Sequence, residues 1–353
     1  MSEIRHERPG VYSAYDTSAV IVAGQAVRTI GVAAKAIQGT VGQPVTVTGY
    51  AAGAAVFGQD ETPGMSTILK LLFQNGASTV VAVRVAETGQ LSDYESAFAA
   101  LSGADVQIMV CDSPDQEVHQ ALRTAVEQDS ACRKERIAVV GGSGESAAEL
   151  VSHAEAINSE RVVLVGPDPL GTDGETLPGV FAAAALAGVI AAVRDPAVPL
   201  NGAQMNGLGG LSEAYTDNDI DLLVRGGVTP LEYAGGILSP VRGITTRSKS
   251  GEAADATWRE LTTILIVDDI IPAVRSALRS KFTRTKNTAR NRSAIRSQVI
   301  VELEKKLAAE IIDSYGDVTV TASSDDPTVC LVEFGFAVAH GLNQIYLTVH
   351  ITV

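Results

Sequence analysis

The stretch "VVGGSGESAAELV", Val139 to Val151, sets Gly141, Gly142 and Gly144 between an apolar run and a helical pattern. Backbone N–H groups at such a junction can cradle a phosphate. The spacing argues against that chemistry. A G-x-G-x-x-A count runs only from Gly142 to Ala147, which breaks the strand–turn register, and no G-K-[ST] is present. Ser143 has Glu145 where a nucleophile elbow requires glycine. A plain turn between strand and helix accounts for the segment better.

The other chemistry-bearing residues are equally dispersed. His6, His119, His153, His340 and His350 form no i, i+4 pair and have no cysteine at ligand spacing, so no metal is expected. Asp268–Asp269 and Asp325–Asp326 are adjacent carboxylates. Neighbours on a helix point to different faces, and the second pair precedes Pro327 in a turn-like stretch, so neither reads as an acid/base dyad. No catalytic constellation and no cofactor are expected. A nucleotide-dependent α/β enzyme with an unrecognised site is the alternative.

One charge feature stands out. Ten basic residues, among them Arg275, Arg279 and Lys286, fall between positions 271 and 306 against Glu302 and Glu304, a net of +8 in a chain of net −14. Arg275, Arg279 and Lys286 recur at roughly helical intervals, giving a basic face. It fits a solvated surface, a seat for an acidic protein or a nucleic-acid site. Phe282 is the one aromatic there, which argues against single-strand binding.

The elements that carry these residues follow a regular rhythm. Strand-like runs "TIGVAAKA", "STVVAVRV", "DVQIMVCD", "RIAVVGG" and "RVVLVGP" alternate with helical patterns "MSTILKLLFQNG", "DYESAFAALSG", "EVHQALRTAVEQDSACR" and "ESAAELVSHAEAIN". That is the β-α-β pattern of a largely parallel sheet covered by helices. "GQPVTVTGYAAGAAVFG" reads as a hairpin or strand edge. From about Asn206 the texture changes to Gly-rich turns, then a long helical stretch from Glu252 to Tyr315, then "DVTVTAS", "TVCLVEFGFAVA" and a final strand. A boundary near residue 205 therefore separates an α/β region from an α+β region.

Composition limits the function classes. The 353 residues suffice for two or three domains, and 46% hydrophobic with 5% aromatic residues means an aliphatic core. The net charge of −14 disfavours nucleic acid or an anionic membrane over the surface as a whole. Cys111, Cys132 and Cys330 lack a CxxC spacing and read as reduced thiols in a cytosol-like compartment. "MSEIRHERPG" shows no signal-peptide pattern, and "FAAAALAGVIAAV" (Phe181 to Val193) is too short to span a bilayer and reads as a buried helix.

The chain closes on "NQIYLTVHITV", in which Ile345, Leu347, Val349, Ile351 and Val353 alternate with polar or aromatic residues. This is the period-two signature of a half-buried strand. Burying five aliphatic side chains contributes roughly 1.5–3 kcal/mol each, while ordering each backbone residue costs about 1–2 kcal/mol. The sums are similar, so the strand needs a ready-made sheet edge, either its own or a neighbouring subunit's.

Several segments together resemble the contractile tail sheath proteins of phages and phage-like particles. "RPGVY" (Arg8–Tyr12) is similar to their opening motif, and "FQNGASTVVAVRV" (Phe73–Val85) to their strand after an "NGG" turn. "LPGVFAAAALAGVIAAVRDPAVPLNG" (Leu177–Gly202) resembles their Ala-rich helix and its polar exit. "GGVTPLEYAGGILSPVRGITTRS" (Gly226–Ser248) and "ELTTILIVDDIIPAVRSAL" resemble the approach to a long helix and its start. "AHGLNQ" departs from the Pro-rich bend common before the last strand.

The resemblance implies an arm over 1–20, an outer α/β portion over 21–205, an inner polymerising domain over 206–341 and a strand arm over 342–353. Pro9, Gly10, Val11 and Tyr12, with Ile345, Leu347, Val349 and Ile351, would then be inter-subunit arm residues that complete sheets in neighbours. Arg275, Arg279 and Lys286 would face a tube. The implied assembly is a homo-oligomer of stacked hexameric rings around a tail tube protein, with baseplate and tail terminator partners, built in the bacterial cytoplasm. No nucleic-acid partner and no direct membrane insertion are implied.

Overall fold

The computed structural model describes residues 28–59, 63–251 and 253–350. Pro9–Tyr12 and Ile351 lie outside the described residues. In chain order, β1 (Ile30–Lys35), β2 (Pro44–Val47), α1 (Tyr50–Phe57) and α2 (Met65–Gln74) lead into β3 (Val80–Val85). Then α3 (Leu91–Ser102), β4 (Ile108–Cys111), α4 (Gln116–Ala131), β5 (Ile137–Gly141), α5 (Ala147–Ile157) and β6 (Val162–Gly166) alternate. They are followed by β7 (Pro169–Leu170), α6 (Gly179–Ala192), β8 (Gly210–Leu211), α7 (Asp217–Gly226) and the hairpin β9 (Val228–Ala234) and β10 (Ile237–Pro240). The last part holds β11 (Lys249–Ser250), β12 (Ala253–Ala254), α8 (Leu261–Phe282), α9 (Ala289–Ala308), β13 (Ile312–Tyr315), β14 (Thr319–Ala322), β15 (Cys330–Glu333) and β16 (Phe336–Val338).

Eight strands form one sheet in the order β10-β9-β6-β5-β4-β1-β3-β2. Every pairing from β3 through β1, β4, β5 and β6 to β9 is parallel, while β2 and β10 are antiparallel edges carrying Pro44 and Pro240. The expected mixed fold with a mainly parallel sheet is present. All five strand-like runs are strands, and their unbroken hydrophobicity is explained by burial on both faces. Val32, Ile108, Val110, Val139 and Val163 face one core with α1, α2 and α6. Ala33, Met109, Cys111, Val140 and Leu164 face a second core with α3, α4 and α5.

The Ala-rich helix α6 is buried on every side, as its sequence implies. A Cβ at Gly188 would lie 2.8 Å from both the Leu72 carbonyl oxygen and the Asn75 Cβ, so glycine lets α6 approach α2 backbone to backbone.

One open reading is decided and three expectations change. Of hairpin or strand edge, "GQPVTVTGYAAGAAVFG" is the edge: strand β2 at the border of the sheet, followed by α1. The sheet continues through β9 and β10, so residue 205 falls inside the α/β unit, not at its border. The long helical stretch is two helices broken at Thr283–Thr288, where Thr288 caps α9 by accepting the Asn291 N–H. The terminal alternation forms no ladder among the described residues: after β16 the backbone through His350 carries no strand.

A third core of Ile266, Ile270, Val274, Val299, Leu303 and Ile312 joins α8 to α9 and β13. Leu261, Ile264 and Leu265, at the start of α8, belong to the first core instead. Helix α8 thus ties the two halves together. Arg161 meets Asp268 of α8 with two bonds of 2.8 and 3.1 Å.

Candidate assembly surfaces

In the Gly-rich loop after β5, the Gly144 and Ser146 N–H groups turn to neighbouring carboxylates. Gly144 N–H donates to Asp168 at 2.7 Å, the Gly142 carbonyl accepts from Gly179 N–H at 2.8 Å, and Ser146 with Glu149 caps α5. At the neighbouring strand ends Asp112 accepts from Lys35 N–H and the Tyr94 hydroxyl. Burial raises its carboxyl, and those two bonds only partly offset the rise.

The paired carboxylates separate as helix geometry requires. Asp268 binds Arg161, and Asp269 binds Lys306 of α9. Asp326 closes the β14–β15 turn by accepting from Thr328 N–H and its hydroxyl. Among the described residues no group of three or more His, Cys, Asp or Glu side chains is placed to hold a metal ion. No helix among them is long and apolar enough to cross a membrane. His119 and His153, far apart in sequence, do meet: Nδ1 of one lies 3.0 Å from Nε2 of the other. Sequence spacing carries no signal for a contact 34 residues apart that arises from the packing of α4 on α5.

Two surfaces remain unsatisfied. The first is the C-terminal segment. It is pinned where Asn201 donates to Asn343 at 2.8 Å, and then runs free. Ile345, Leu347 and Val349 are 79%, 85% and 67% exposed. Apolar side chains alternating along an unpaired backbone are costly to leave in water and invite a sheet edge. The edges at hand in the same half are small: β13 pairs with β16, and β14 with β15, each in a two-stranded sheet.

The second surface is the tip of the α8–α9 helical hairpin. Arg279, Lys281, Arg284, Lys286, Arg290 and Arg296 are exposed there, and none of them makes an ion pair among the described residues. Phe282, Lys286, Asn287, Asn291, Arg292 and Pro327 line a groove of about 540 Å³ beside them. Arg275 does not join this tip. It is bound to Glu135 of the α/β body at 2.7 Å, a half-buried pair whose partner sits 140 residues away in sequence. Burial, the largest single influence, would raise the Glu135 carboxyl, but the Arg275 bond and charge, a backbone hydrogen bond and the charge of Arg161 together leave it below the usual range.

Comparison with known proteins agrees with this architecture. Residues 90–246 match the family model of the phage tail sheath protein central domain, and residues 253–352 that of the phage tail sheath C-terminal domain. The tail sheath protein of Bacillus phage SP01 is 28% identical over 254 residues, 70% of this chain and 43% of that protein. The chain thus aligns with less than half the length of this curated relative. A sheath tail protein from Desulfitobacterium hafniense superposes with a TM-score of 0.70 at 14% identity, covering 93% of this chain and 100% of that one. The helical sheath of the anti-feeding prophage in its contracted state gives 0.73 at 17% identity, covering 98% and 99%. These two likenesses concern the fold.

Proposed function

Because the chain belongs to the phage tail sheath family, we propose that it is the structural subunit of a contractile sheath. It polymerises as stacked hexameric rings around a rigid tube in an extended, metastable state. Contraction then drives the tube through a target membrane. In this reading the α/β body faces outward, and the half built on α8, α9 and the two small sheets faces the tube.

The observation that carries the reading is the C-terminal segment. Among the described residues Ile345, Leu347 and Val349 stand largely exposed and outside any ladder, yet their period is that of a strand. Ile345, Leu347, Val349 and Ile351 enter a neighbour's small sheet, and Pro9–Tyr12 act as the second arm, so that one chain is knitted to the next by β-augmentation. Arg279 and Lys286, at the hairpin tip, orient the subunit on an acidic tube protein. Charge attraction of this kind is screened within about 8–10 Å at physiological salt, so it sets orientation more than affinity. Arg275, paired internally, serves the protomer instead. Baseplate and terminator proteins cap the polymer, which assembles in the bacterial cytoplasm as part of a virion tail or a released particle.

Electron microscopy of the purified full chain tests this directly. Long, hollow, ribbed cylinders are expected, alone or with a co-expressed tube protein. Compact monodisperse particles under both conditions would reject the proposal.

A further inference from the structure

The packing of α4 on α5 buries a chain of titratable groups. His119 is fully buried and His153 nearly so. His119 Nε2 lies 2.8 Å from the Ser113 carbonyl oxygen, its Nδ1 lies 3.0 Å from His153 Nε2, and His153 Nδ1 lies 3.0 and 3.2 Å from the two carboxyl oxygens of Glu145. The ring planes differ by 15°.

The proton count follows from which atoms can only accept. A carbonyl oxygen accepts, so His119 carries its proton on Nε2 and offers the Nδ1 lone pair. His153 must then donate from Nε2. Its Nδ1 faces a carboxylate, and two lone pairs cannot face each other at 3.0 Å without a proton between them. The chain therefore holds one proton more than two neutral imidazoles and an ionised carboxylate supply. We propose that Glu145, His153 and His119 share this proton as a clasp between the β5–α5 loop and α4, and that this face loosens when the proton leaves.

The surroundings favour a single proton. Burial first, and then the neighbouring His153, pull His119 down to about 3, so a second proton does not enter. Asp168 adds negative charge beside Glu145. Burial raises Tyr215, whose hydroxyl has no hydrogen-bond partner among the described residues, and pushes the Cys111 thiol up to about 12, so both stay neutral. Asp115 holds the Ser113 hydroxyl, Glu149 is engaged by Ser146, and Arg123 is paired with Glu127. On the far side of α5, Glu155 pairs with Lys249, and Arg225 of α7 pairs with Asp221 in solvent. Glu145 is the member open to water, with a quarter of its side chain exposed, and joins the buried chain to solvent. Once the proton has gone, His153 turns a lone pair either to Glu145 or to His119, and one of the two bonds is lost.

Hydrogen exchange of the full chain, followed by mass spectrometry from about pH 5 to 9 and corrected for intrinsic rates, reads this out. In the wild type, protection of 113–123 and 142–157 should fall with rising pH, by up to about tenfold per pH unit in the one-proton limit, while β1 and β3 stay level. In Glu145→Gln the amide donates to a neutral His153 Nδ1, so the bonds persist without a titrating proton and protection should be retained and independent of pH. A flat wild-type profile, or a Glu145→Gln profile that titrates like the wild type, overturns the proposal. Histidine-labelled nuclear magnetic resonance spectra give an independent reading: a His119 tautomer protonated on Nδ1 instead of Nε2 also overturns it.

Discussion

Replacing Leu347 with aspartate separates the assembly role of the C-terminal segment from any role in the protomer. Leu347 is 85% exposed, so its loss removes almost no contact within the chain. Exposed substitutions usually stay within about 0.5 kcal/mol, which for a domain of this size means a melting shift of roughly 1–2 °C. Docked in a neighbour's sheet, the same leucine is worth roughly 1.5–3 kcal/mol, and burying an aspartate without a partner adds at least about 1–3 kcal/mol more. Each inter-subunit contact should therefore weaken by roughly 3–5 kcal/mol, a factor on the order of a few hundred to a few thousand. Because every subunit repeats the contact, polymer should disappear. Circular dichroism melting measures the protomer, and sedimentation velocity measures assembly. Normal melting with a shift to slow-sedimenting species is expected. A fall in melting temperature beyond about 5 °C, or cylinders like those of the wild type, would refute the argument.

Deleting Gln344–Val353, or changing Val349 to proline, should likewise give a folded protomer that does not polymerise; aggregation with loss of helix and strand signal would show that the segment serves its own chain. Charge reversal at Arg279 and Lys286 should reduce co-sedimentation with the tube protein, most strongly at low salt, and leave melting unchanged. Arg275→Ala should behave in the opposite way. The Glu135 carboxyl is held low in the folded state, so the stability it confers is present above the ordinary carboxylate range and is lost as pH falls through its folded pKa. The variant should be less stable at neutral pH and show a flatter acid limb in pH-dependent melting. Arg161→Ala leaves Asp268 buried without its partner and should cost about 3–5 kcal/mol in denaturant unfolding. Gly188→Val, driven against the Leu72 carbonyl and the Asn75 Cβ, should lower stability by roughly 1–3 kcal/mol or more without touching either assembly surface.

The parallel sheet was legible because strands buried on both faces are continuous apolar runs, and because α6 is apolar on every side. The helix break was hidden for the opposite reason. Thr283–Thr288 contains no glycine or proline, and the basic residues around it are good helix formers. Thr288 as a cap was the available signal. Local spacing could not show that Arg275 reaches Glu135 or that His119 meets His153, since both contacts depend on how β4, β5 and their helices lie side by side. The terminal alternation reported correctly which faces are apolar. Spacing alone does not name the sheet edge that receives it, and among the described residues the segment is unpaired.

The two edges of the main sheet bear on how errors are avoided. β2 and β10 are four residues long, and each carries a proline, at Pro44 and Pro240. Such an edge offers an incoming strand only a short, interrupted ladder, so the largest sheet in the molecule is poorly adhesive at both sides. Within the described residues, the strands of the small two-stranded sheets beside α9 are as short but carry no proline. If the C-terminal segment is the exchanged arm proposed above, a crowded pool of newly made chains would thereby be sorted by where that strand can be received. Under the proposed arm exchange, growth would be directed to one face of the subunit, and tangling through the other discouraged before any tube is present.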